Sequence, residues 1–116
     1  MKSFLTFIIA LFLINNAYLQ DDWIWTKGPL SGVISSLAVN KSGYVFCSTN
    51  QGVYRSTDKG NTWTLNNNGL DILKVTCMTI NPVNQNIFVG TDGGGVYMSN
   101  DDGNNWEPIN YDSLSY

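Results

Sequence analysis

Ser56-Thr57-Asp58-Lys59-Gly60-Asn61-Thr62-Trp63 returns as Ser99-Asn100-Asp101-Asp102-Gly103-Asn104-Asn105-Trp106, and both stretches read S-x-D-x-G-x-x-W. The two tryptophans stand 43 residues apart, and Val53-Tyr54 recurs at the same distance as Val96-Tyr97. The likeness reaches back through a whole unit. Ile34-Ser35-Ser36-Leu37-Ala38-Val39-Asn40 answers to Val75-Thr76-Cys77-Met78-Thr79-Ile80-Asn81, and Val45-Phe46-Cys47-Ser48-Thr49 to Ile87-Phe88-Val89-Gly90-Thr91. At the asparagines the offset is 41, so two residues are added in the second copy, around Pro82 to Gln85 and Gly93 to Gly95. Turns accept such additions without disturbing a sheet.

Each copy holds four short runs rich in β-branched and aromatic residues, separated by Gly, Asn, Asp and Pro clusters, the pattern of strands joined by hairpins. The runs lie near 34–39, 44–49, 52–56 and 62–65, then 75–81, 86–91, 95–99 and 105–109. Alternation places Leu37 and Val39 on one face of the first run and Met78 and Ile80 on the equivalent face of the fifth, and both faces are expected to point inward. No segment beyond residue 20 has helical periodicity. Four hairpin-joined strands recurring at this period have the length of one β-propeller blade.

The repeated box suits a tight hairpin between the third and fourth strands. Gly60 and Gly103 supply positive φ without steric cost. Asp58 and Asp101 are short carboxylates able to accept backbone amides across the turn, and Ser56 and Ser99 can close the same network. Trp63 and Trp106 then bring a large apolar ring against the neighbouring sheet. A structural role accounts for all four residue types, whereas a catalytic role for the carboxylates accounts for one.

With this strand pattern around them, the two boxes resemble the BNR or Asp-box repeat of bacterial sialidases, sortilin-type receptors and photosystem II assembly-factor-like propellers. The resemblance covers about residues 30–110. It implies a propeller fold but no one activity, because one fold hosts many functions. In a sialidase it would imply three arginines gripping the substrate carboxylate, a Tyr nucleophile paired with a Glu, and an Asp acid. This chain has one arginine, Arg55, and one glutamate, Glu107, which directly follows Trp106 on the expected outer strand.

Residues 1–20 carry Lys2, an apolar run from Phe4 to Ile14, and the polar pair Asn15-Asn16. The run falls short of the roughly 20 residues a spanning helix requires, and reads as a secretory signal. Cleavage after Ala17 and cleavage after Gln20 both fit, with an uncleaved membrane anchor as the alternative. The expected location is secreted or periplasmic, with membrane contact only through the signal. Beyond it, Lys27, Lys41, Arg55, Lys59 and Lys74 are scattered among nine acids. No basic cluster exists to neutralise phosphates, which argues against nucleic-acid binding.

Cys47 and Cys77 are candidates for a disulfide in an oxidising compartment. Their counterparts in the other copy are Val89 and Ser36, so two small buried thiols are the competing and favoured reading. Gly90-Thr91-Asp92-Gly93-Gly94-Gly95 reads as a hairpin turn rather than a phosphate loop. Asp101-Asp102-Gly103-Asn104 lacks the alternating oxygen ligands of a calcium loop. Asn40-Lys41-Ser42 is a glycosylation sequon. The chain has no His, which excludes histidine-based triads and disfavours a zinc site. No metal or cofactor is expected.

Closed propellers use roughly four to eight blades, and two units are encoded here. Trp25-Thr26 resembles Trp63-Thr64, as if it were the outer strand of a further blade. The expected organisation is a signal at 1–20, an N-terminal closing strand and linker at 21–33, one blade with its Asp-box at 34–70, a second at 71–110, and a truncated linker at 111–116. The expectation is an all-β propeller fragment of two four-stranded antiparallel blades plus that N-terminal strand. Its expected role is a secreted, non-catalytic structural or interaction module, partnered by a protein, a glycan or the missing blades of its own propeller. The alternative is the N-terminal piece of a sialidase-like glycoside hydrolase whose catalytic residues lie elsewhere. An incomplete propeller would expose a blade face and open strand edges.

Overall fold

The computed structural model describes residues 23–25, 28–29 and 32–110. Among them the fold is all-β, with eight strands in two antiparallel four-stranded sheets and no helix. The first sheet runs in chain order through β1 (Ile34–Val39), β2 (Val45–Thr49), β3 (Gly52–Ser56) and β4 (Thr64–Leu65). The second repeats that order through β5 (Val75–Ile80), β6 (Ile87–Thr91), β7 (Gly95–Ser99) and β8 (Glu107–Pro108). Even the irregularities repeat: the register of β1 on β2 shifts between Ile34 and Ser36, and that of β5 on β6 between Val75 and Cys77.

Register and alternation sort the side chains into faces. In the first sheet, Phe46 lies opposite Arg55 and Ser48 opposite Val53, and these four share the face turned to the second sheet. Ile87, Val89 and Tyr97 come from the answering face of the second sheet. They join Phe46, Val53, Leu70, Val75 and Trp106 in one buried cluster, with Tyr44, Met78 and Ile80 packed against it. Each fully buried side chain of this kind contributes about 1.5–3 kcal/mol relative to exposure. The core is therefore the joint between the two units rather than the interior of either.

Three expectations about strands are corrected here. Met78 and Ile80 do turn inward, but Leu37 and Val39 are 63% and 62% exposed. The alternation is the same in both strands, but no described sheet lies against the first one on that side. The outer strands are also shorter than their sequence runs, two residues each, and Trp63 and Trp106 precede them rather than lie within them. Side-chain bonds hold the boxes, so the ladder begins after them. Trp25, read as the head of a further outer strand, is fully exposed and in no strand. Thr26, the signal at 1–20 and the linker at 111–116 lie outside the described residues.

Candidate functional site

In the first box the Ser56 hydroxyl donates to Asp58 Oδ1 (2.8 Å) and accepts from the Gly60 amide (2.8 Å). Asp58 Oδ1 also accepts from the Thr62 amide (2.8 Å), and Oδ2 from the Thr62 hydroxyl (2.5 Å). The second box repeats this: Ser99 donates to Asp101 Oδ1 and accepts from the Gly103 amide, while Asn105 gives Asp101 its amide N–H and its side-chain N–H. Lys59 and Gly60 have φ of 60° and 88°, and Asp102 and Gly103 of 59° and 81°. Two consecutive left-handed residues, closed by Asn61 N–H to Asp58 C=O and Asn104 N–H to Asp101 C=O, are the mark of a type I′ turn. Sequence reading located the glycines but not the equally left-handed Lys59 and Asp102.

The hydrogen bonds favour the ionised carboxylates. Those from Thr62, side chain first and then backbone, with Ser56 added, hold Asp58 below the usual aspartate range. The Asn105 side chain does most to hold Asp101 low. Each carboxylate thus accepts three hydrogen bonds within its own turn, and those bonds keep it ionised.

The tryptophans part company. Trp106 is 3% exposed, and its indole N–H donates to the carbonyl of Asn66 (2.9 Å) in the preceding unit. Its backbone N–H donates to the Asn68 carbonyl (2.8 Å). Trp63 is only partly buried, and its indole N–H turns back to Gly60 C=O (3.1 Å) in its own box. Gly69 explains how closely the linker approaches: with φ of +94°, a Cβ added there would lie 2.1 Å from the Trp106 carbonyl oxygen.

The second box also docks sideways on the first sheet. Arg55 donates to the Asp102 carbonyl (2.9 Å) and to Asn104 Oδ1 (2.8 Å), and its guanidinium carbon lies 6.0 Å from the centre of the Tyr44 ring. Asn40 donates to Asp102 Oδ1 (3.1 Å) while its own Oδ1 accepts from the Tyr44 amide. Asn40 is 7% exposed, so the nitrogen a glycan would need is enclosed and engaged. The sole arginine is engaged in this joint, and Glu107 lies exposed on β8.

Sequence reading missed a second repeated device. Asn67 Oδ1 accepts the Val53 amide, and Asn110 Oδ1 the Val96 amide, both at 2.8 Å. A Cβ on Gly52 or Gly95 would lie 2.1 Å from Asn67 or Asn110 respectively. The signal was present as Gly and Asn at the same 43-residue offset as the boxes, but the pairing spans a strand and a turn and emerges from the fold.

Cys47 and Cys77 are free thiols. Cys47 is buried, and burial pushes its thiol pKa up. Cys77 is exposed, which corrects the reading of two buried thiols: its face of β5 has no described sheet against it. At the head of β5, Lys74 pairs with Asp92 at 2.6 Å, both well exposed. Among the described residues no group of three or more His, Cys, Asp or Glu is assembled to hold a metal. A scan against protein-family models and a search for curated relatives each returned no match.

Proposed function

We propose that this chain is a secreted Asp-box propeller-repeat protein whose two units form a non-catalytic structural and interaction module. The observation that carries the reading is the joint itself. Trp106, presented by the second box, reaches back to Asn66 and Asn68, while Arg55 and Asn40 of the first unit grip the same box. The box carboxylates serve their own turns, and the arginine serves the joint. Binding surface rather than reactive groups is what the two sheets offer.

The reading is tested by assaying the purified chain with a fluorogenic sialoside and other aryl glycosides. No turnover above buffer is expected. Turnover abolished by Glu107→Gln or Arg55→Ala would replace the module reading with the glycoside-hydrolase alternative. Secretion is tested by N-terminal sequencing of the exported protein, with a start at Tyr18 or Asp21 expected, and an intact Met1 counting against it.

A further inference from the structure

We infer that the two outward sheet faces of this chain pair with each other between copies, head to tail, so that a second copy of the same chain occupies each. The inference rests on the propeller reading and adds the identity of the partner. It starts from the internal joint, where the face carrying Phe46, Ser48, Val53 and Arg55 meets the face carrying Met78, Ile80, Ile87, Val89 and Tyr97. Each of these faces has a repeat counterpart against which no described sheet lies.

The counterpart of the second set is Leu37, Val39, Val45, Cys47 and Tyr54 on the first sheet, residue for residue similar in size and polarity. Leu37 and Val39 there are more than half exposed, whereas their counterparts Met78 and Ile80 are partly buried against the joint; Cys47, the counterpart of Val89, is buried already in the single chain, so the open part of this face is its β1 edge. The counterpart of the first set is Phe88, Gly90, Val96 and Met98 on the second sheet, where Val96 is 39% exposed while its equivalent Val53 is wholly buried. One surface has the shape that the internal joint accepts, and the other has the shape that accepts it. A self-complementary pair of different faces makes a heterologous interface, which closes into a ring when the rotation permits.

Polar details agree. The Ser35 hydroxyl lies within hydrogen-bond reach of two carbonyls, that of Ser48 in its own sheet (3.2 Å) and, closer, that of Val75 across the joint (2.9 Å), and its one proton can serve either. Its counterpart Thr76 donates within its own sheet, to Gly90 C=O (3.2 Å), and the equivalent of the cross-joint acceptor to which its proton could turn is the Ile34 carbonyl of the next copy. Trp63 would likewise donate to the Ile109 carbonyl of a preceding copy as Trp106 does to Asn66. Charge has changed in concert: where Arg55 meets Asp102 and Asn104 within the chain, Met98 would meet Lys59 and Asn61 between copies. An arginine at 98 would have faced the Lys59 cation, and methionine avoids that repulsion.

Sedimentation velocity and native mass spectrometry of the purified chain test this with two single-face variants. Leu37→Asp damages one outward face and Val96→Asp the other, at positions exposed in the single chain. The wild type is expected as one discrete oligomer, and each variant alone as monomer. Their mixture is expected to form a one-to-one heterodimer, because one intact face of each kind remains. Circular dichroism checks folding, and Val39→Asp with Met98→Asp repeats the test should either first variant unfold. A stable wild-type monomer overturns both the pairing and the propeller reading. A discrete oligomer whose two variants fail to complement each other overturns head-to-tail pairing alone, as does a heterogeneous aggregate that neither variant disperses.

Discussion

Trp63 and Trp106 occupy the same place in two copies of one turn, yet one is partly exposed and bonded to its own box while the other is 3% exposed and bonded to the preceding unit. The turns beneath them share the same hydrogen bonds and the same left-handed pairs. What differs is whether a sheet lies in front of the ring. A local motif can therefore build its turn alone but needs a neighbour to use its tryptophan. The box is a connector whose worth depends on what it touches.

The widest test of this difference is Trp106→Ala against Trp63→Ala in urea unfolding followed by circular dichroism. Removing the buried ring is expected to cost about 3–5 kcal/mol, and removing the partly exposed one under about 2 kcal/mol. Equal losses would dissolve the distinction. Gly69→Ala comes next, at about 2–3 kcal/mol, combining a left-handed φ with backbone overlap at Trp106. Its control is Gly93→Ala, whose φ is +93° but whose Cβ would meet nothing within 4 Å; a cost of about 1–2 kcal/mol is expected from the backbone alone.

Arg55→Ala tests the sideways grip on the second box. A loss of about 1–2 kcal/mol is expected, because two hydrogen bonds from a charged group disappear together. The same change in an Asp102→Ala background should cost nearly as much, since Arg55 binds the carbonyl at 102 rather than the carboxylate.

The smallest effect is the one on which the two units should agree. Asp58 and Asp101 both have folded pKa values below their unfolded ones. Their contribution is therefore present above the unfolded value of about 4 and is lost as pH falls through the lower folded values. Thermal midpoints measured downward from about pH 5 should fall, and Asp58→Asn and Asp101→Asn should each flatten that fall by a similar small amount. A large asymmetry between them would show that the second box needs its charge for the joint as well as for its turn.

Much of this organisation was legible in the residues. The 43-residue repeat, the hairpin runs and the Asp–Gly turns are local or periodic, and local sterics and alternation act before any tertiary contact forms. Leu37 and Val39 show where that reasoning stops. Alternation gives both sheets the same two faces, but nothing in alternation says which face finds a partner. The same limit applies to Cys77, whose exposure follows from the uncovered side of β5 rather than from its neighbours in sequence. Asn67 and Asn110 were missed because their bonds to Val53 and Val96 join residues 14 apart, a distance at which a side chain's target depends on how the strand and turn fold back.

By itself the sequence determined an all-β chain of two repeated four-strand units, each with a carboxylate-closed turn, because those features follow from backbone conformation and short-range hydrogen bonding. The tertiary structure alone decided that the core lies between the units, that Trp106 and not Trp63 is sealed into it, and that Arg55 is committed to the second box. These depend on which faces meet, and burial is a property of two surfaces that no single stretch of chain contains.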